Sequence, residues 1–96
     1  RDYVYVGDVA DANQLVLEKG DNQIYNIGSG KGTSVNELFA HLMKPAKFEK
    51  AATYAPARSG ELFRSVLNCQ KIKKDLGWSP KIDIEKGLEL TFKYYL

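Results

Sequence analysis

The clearest periodicity in the chain runs from Val35 to Met43, where Val35, Leu38, Phe39, Leu42 and Met43 fall at i, i+3, i+4, i+7 and i+8. That spacing puts all five on one face of a 3.6-residue helix. Ser34 and Glu37 in front of it form a Ser-x-x-Glu capping box, and Pro45 stands just after the expected end. A helix also reads from Asp8 as N-cap, with Val9, Ala12, Leu15 and Val16 recurring through Lys19 and Gly20 as its left-handed terminator. A third carries Cys69, Ile72 and Leu76 on one side, capped by Asn68 and closed by Gly77. Asp83 caps a fourth, in which Ile84, Leu88, Phe92 and Tyr95 align.

Three segments read as short strands. Arg1 to Val6 is β-branched and aromatic, Ile24 to Ile27 is a second run, and Phe48 to Tyr54 is a third, diluted by its lysine, glutamate and alanines. Strands alternating with helices predict an α/β or mixed α+β small domain of three short strands and about four helices. Gly28 to Gly32 reads as a turn, Pro56 to Ser65 as a polar loop, and Trp78-Ser-Pro-Lys81 as a connector.

Composition narrows the class of protein. The chain has 96 residues, enough for one domain, with 44% hydrophobic and 27% charged residues, so disorder is not expected. A net charge of +2 is too mild for a nucleic-acid partner, which would call for a concentrated basic face. No apolar run reaches the length of a membrane span and no signal peptide is visible, so no membrane partner is expected. Cys69 is the single cysteine, and a lone thiol fits a reducing cytoplasm. The chain opens at Arg1, without Met, directly into a strand-like run, which reads as a piece of something longer.

Few residues invite chemistry. Gly28-Ser-Gly-Lys-Gly-Thr33 lacks the register of a P-loop, and its glycines are spaced Gly-x-Gly-x-Gly rather than Gly-x-Gly-x-x-Gly. The plainer reading is a tight turn, although a helix start offers free amides to an anion. His41, the one histidine, lies mid-helix away from the apolar stripe, with no partner at zinc-ligand spacing, and reads as solvent-facing. Cys69 reads as core packing, Lys71, Lys73 and Lys74 as a solvated face, and Phe92, Tyr94 and Tyr95 as core and rim. The loop Pro56-Ala-Arg-Ser-Gly-Glu-Leu62 sets Arg58 and Arg64 around Glu61. Arginine forks suit phosphate oxygens and a carboxylate suits ribose hydroxyls. A surface loop with an incidental ion pair explains the same residues equally well.

Three segments taken together resemble a known family. Arg1-Asp-Tyr-Val-Tyr-Val-Gly-Asp8 resembles the Arg-Asp-aromatic-Val segment of extended short-chain dehydrogenase/reductases. Tyr25-Asn-Ile-Gly28 and the helix after it are similar to that family's turn and helix. Pro56-Ala-Arg-Ser-Gly-Glu61, then Ser65, then Leu76-Gly-Trp-Ser-Pro80 are similar to its closing segment. Within it, the chain resembles the bacterial UDP-glucose 4-epimerase group of the NAD-dependent epimerase/dehydratases. The resemblance implies that residues 1–96 are a single C-terminal substrate domain that closes over a UDP-sugar. It implies that Arg1 and Tyr3 face the UDP portion, Arg58 the pyrophosphate, Glu61 the ribose and Ser65 the uridine side. Glu61 stands where the family usually has the shorter Asp.

The same resemblance implies an NAD-binding Rossmann domain N-terminal to these residues, with no cofactor or metal held by this chain. The family's catalytic Tyr-x-x-x-Lys pair is also absent, because Tyr3, Tyr5, Tyr25 and Tyr54 are followed four residues on by Gly7, Val9, Ser29 and Arg58. No catalytic residue is therefore expected here, and the chain alone is not expected to be an enzyme. The rival expectations are a part of a dTDP-glucose dehydratase or heptose epimerase, and a non-enzymatic remnant that binds nucleotide-sugar or self-associates into a homo-oligomer.

Overall fold

A computed structural model describes all 96 residues. Four helices follow one another: α1 (Val6–Lys19), α2 (Val35–Ala46), α3 (Gln70–Leu76) and α4 (Ile84–Tyr94). They pack as two pairs, α1 against α3 and α2 against α4. The molecule is flat, 47 × 34 × 17 Å, with a radius of gyration of 15.8 Å, where a compact domain of this length has about 12 Å.

No strand or sheet forms, so the expected α/β architecture is not what the chain adopts. A strand exists only through a ladder to another backbone. Residues 1–6, 24–27 and 48–54 find almost none within the chain. Arg1 and Thr33 exchange one reciprocal pair of backbone hydrogen bonds, at 3.1 and 2.8 Å, and no ladder grows from it. Side chains take up part of the second segment instead: Lys71 Nζ donates to the Ile24 carbonyl at 3.0 Å, and Asn26 Nδ2 to the Asn68 carbonyl at 3.3 Å. In the third segment Phe48 turns its amide back to the Met43 carbonyl and its ring edge-on to Phe39.

The helices form where the pattern puts them, with local corrections. Ser34 Oγ accepts from the Glu37 amide at 3.1 Å and Asp83 Oδ1 from the Lys86 amide at 2.9 Å, so both caps satisfy a donor that the helix leaves open. Asn68 Oδ1 accepts from the Gln70 amide at 3.0 Å, and α3 stops at Gly77, whose φ of 73° closes the helix at little steric cost. Pro45 lies inside the last turn of α2 rather than after it, because so near the end it forfeits only one bond, and Lys47 then ends the helix at φ 53°. His41 is half-buried rather than solvent-facing, since it lines the crevice between α2 and α4. Ile84, Leu88 and Phe92 are half-buried as a stripe, whereas Tyr95 is exposed.

Asp8 is not the N-cap of α1. The helix begins one turn earlier, at Val6, and closes at Gly20 with φ −104°, outside the left-handed region expected of that glycine; Asp8 is 3% exposed. Its Oδ2 accepts from the backbone amides of Lys81 and Ile82 at 3.1 and 3.0 Å, and its carbonyl accepts from Trp78 Nε1 at 3.0 Å. The segment that read as a connector thus supplies the core. Ala12, Ile72 and Trp78 form it, packed by Leu15, Val16, Tyr25, Ile27, Cys69 and Leu76.

Candidate functional site

Three stretches meet beside the start of the chain: residues 1–2, the turn at 28–33 and residues 62–67. Asp2 joins them. Its Oδ1 accepts from the Ser29 amide at 2.7 Å and the Ser29 hydroxyl at 2.6 Å. Its Oδ2 accepts from the amides of Gly30 at 2.9 Å and Leu67 at 3.3 Å. Burial raises the Asp2 pKa, but the Ser29 hydroxyl and the Ser29, Gly30 and Leu67 amides outweigh it and hold the carboxyl below its ordinary value. Gly28 is buried beneath this carboxylate, where a Cβ would lie 2.8 Å from Asp2 Oδ2 and 3.0 Å from Leu67 Cδ1. The glycine turn is therefore a cradle for an anion, and the anion is the chain's own Asp2.

Arg1 reaches across the same seam. Its Nη1 donates to the Leu62 carbonyl at 2.8 Å, while its backbone is pinned by Thr33. That bond ties Arg1 to the loop carrying Arg58, Glu61 and Ser65. Within the loop the Arg58 amide donates to Glu61 Oε2 at 3.1 Å, and the Glu61 amide to the Arg58 carbonyl at 3.2 Å, around Gly60 at φ 81°. One oxygen of Glu61 is thus turned onto its own loop. Arg58, Glu61 and Ser65 are exposed. The chain's ion pairs all lie on α2 and α4, so none engages Arg58 or Glu61. The Arg64 guanidinium lies over Gly32.

Tyr3 goes elsewhere. It lines an apolar groove of about 500 Å³ with Val6, Leu38, Leu88, Leu90 and Tyr94, and neither Arg58, Glu61 nor Ser65 borders that groove. Cys69 packs against the core; burial, then the Asp2 charge, push its thiol up, despite a hydrogen bond with the Gly28 backbone. No group of His, Cys, Asp and Glu is placed to hold a metal ion. No helix is long and apolar enough to cross a membrane.

The residues that the sequence reading passed over are Asp2 and Ser29. Capping rules reach three or four residues along the chain, and this pair is 27 apart. The one signal available was a short acidic side chain next to Arg1 and a glycine turn lacking any phosphate-loop register.

Residues 1–91 match the family model described as GDP-mannose 4,6 dehydratase. The chain belongs to that family. The UDP-glucose 4-epimerase of Rhizobium meliloti is 35% identical over 99 residues, which cover 99% of this chain and 30% of the relative. The structure of the Thermotoga maritima UDP-glucose 4-epimerase with UDP-glucose superposes with a TM-score of 0.93 at 49% identity, over 99% of this chain and 31% of that one. The Bacillus anthracis dTDP-glucose 4,6-dehydratase in complex with NAD superposes with a TM-score of 0.86 at 30% identity, over 99% of this chain and 30% of that one. The chain thus spans just under a third of the length of these proteins.

Proposed function

We propose that this chain is the C-terminal, UDP-holding domain of a nucleotide-sugar 4-epimerase that interconverts UDP-glucose and UDP-galactose. The observation that carries the reading is the bond from the Arg1 guanidinium to the Leu62 carbonyl, which holds the first residue of one family motif against the loop of another. In this reading Arg58, free of any ion pair, and Arg1 oppose the diphosphate charge as planar donors. The free oxygen of Glu61 accepts from a ribose hydroxyl, and Ser65 reaches the uridine side. Tyr3 is a weaker member, since it lines the groove rather than the loop. Holding the UDP positions the sugar, so that binding energy from the part that does not react lowers the barrier at the part that does.

The residues present do not fit NAD. The amides of Ser29 and Gly30, which an anion at the glycine turn would need, already donate to Asp2. NAD and the catalytic pair belong, in this proposal, to a Rossmann domain outside these 96 residues, in a cytoplasmic enzyme. The likeness to the 4,6-dehydratase favours a second reading, in which the same UDP-type grip serves a dehydratase acting on another nucleotide-sugar. An assay of products from UDP-glucose, UDP-galactose and dTDP-glucose separates the two.

The test is calorimetry with UDP on the full-length protein that contains this chain. Losing a charge-assisted hydrogen-bonding pair costs about 1.5–3 kcal/mol, so Arg58→Ala is expected to raise Kd by roughly 10- to 150-fold. An unchanged Kd overturns the assignment.

A further inference from the structure

We infer that Asp2 is a positioning residue for nucleotide binding: through its four hydrogen bonds, to Ser29, Gly30 and Leu67, it braces Arg1 between the glycine turn and the stretch that continues the 58–65 loop. The inference rests on the proposed UDP-binding reading and adds to it a residue that never touches the ligand. Asp2 is the next residue to Arg1, so anything that fixes its carboxylate fixes the backbone from which the Arg1 side chain springs. Both carboxylate oxygens are engaged, Oδ1 by the Ser29 amide and hydroxyl at 2.7 and 2.6 Å, Oδ2 by Gly30 and Leu67 at 2.9 and 3.3 Å.

These partners come from the two stretches that also hold Arg1. The turn at 28–33 also pins the Arg1 backbone through Thr33, and Leu67 lies five residues beyond the Leu62 carbonyl that the Arg1 guanidinium grips. The separations, 27 residues to Ser29 and 65 to Leu67, mean that no local turn can replace the brace. Gly28 leaves room for the carboxylate, since a Cβ there would lie 2.8 Å from Asp2 Oδ2. A diphosphate needs its two guanidinium groups fixed relative to each other, so loss of the brace falls on nucleotide binding rather than on the chemical step.

The experiment uses the full-length protein, with UDP as the probe and UDP-glucose as the substrate. Asp2→Asn turns an amide group toward donors that need an acceptor, and is expected to raise the Kd for UDP and the KM for UDP-glucose about tenfold, with kcat within about twofold. Ser29→Ala removes one of the four bonds to Asp2, together with the hydroxyl's two bonds to the Lys31 backbone, and is expected to raise both about threefold; it gives the answer if Asp2→Asn does not fold. Asp8→Asn is the control, because it cuts a comparable backbone clamp away from the seam, and should lower Tm while leaving the UDP Kd unchanged. If Arg58→Ala weakens UDP binding and neither Asp2→Asn nor Ser29→Ala does so beyond Asp8→Asn, the brace is overturned. If Arg58→Ala itself changes nothing, the UDP-binding reading fails, and the brace fails with it.

Discussion

At the scale of single residues, buried or half-buried carboxylates organise the molecule. Asp2 and Asp8 each collect backbone amides from distant stretches, and neither forms an ion pair. Leaving such amides without an acceptor costs about 1–3 kcal/mol, so Asp2→Asn should lower stability by that amount near neutral pH. The pH dependence follows from the direction of the shift. The folded pKa of Asp2 lies below its unfolded value, so its stabilisation is present above the unfolded value and is lost as pH falls through the folded one. The Tm gap between the wild type and Asp2→Asn should therefore be full at pH 7 and close in strong acid. A gap that stays constant down to pH 2 contradicts this account. Arg1 could be named from sequence because a motif carries it. Asp2 was hidden, because no rule of local spacing links position 2 to position 29.

At the scale of elements, the helices are set by signals that act over one turn. Ser34 and Asp83 each satisfy an amide three residues ahead. Ser34→Ala and Asp83→Ala should each cost about 1 kcal/mol, read by urea denaturation. If both lie within about 0.3 kcal/mol of the wild type, the caps do not hold α2 and α4 in place. Glu89 extends the same logic along α4: the hydrogen bond from Lys93, then the charges of Lys86 and Lys93, hold its carboxyl below the usual range. Such exposed i, i+3 and i, i+4 pairs contribute little. The strands were misread for the opposite reason. A β-branched run such as Tyr3-Val4-Tyr5-Val6 states a preference for extended backbone, and the partner that would turn it into a ladder is not in the run itself.

At the scale of the whole molecule, surface is in excess. The chain exposes 7838 Å², whereas a compact monomer of 10.8 kDa exposes about 5,500 Å². The difference, roughly 2,300 Å², exceeds the approximately 800 Å² that one partner contributes to a standard interface. Phe63, Ile24, Leu17 and Leu96 are all exposed. The 96 residues expressed by themselves should therefore self-associate, seen as concentration-dependent sedimentation with a broad thermal transition. A monomer at all concentrations with one sharp transition contradicts this. The sequence by itself determined the four helices, the caps at Ser34, Gly77 and Asp83, and the family, because periodicity, capping and motif order are written within a few residues of one another. Only the tertiary structure decided that the extended runs stay unpaired, that Trp78 is core, and that Asp2 fills the glycine turn. Those outcomes depend on groups 27 to 70 residues apart in the chain, whose meeting is settled by packing rather than by local pattern.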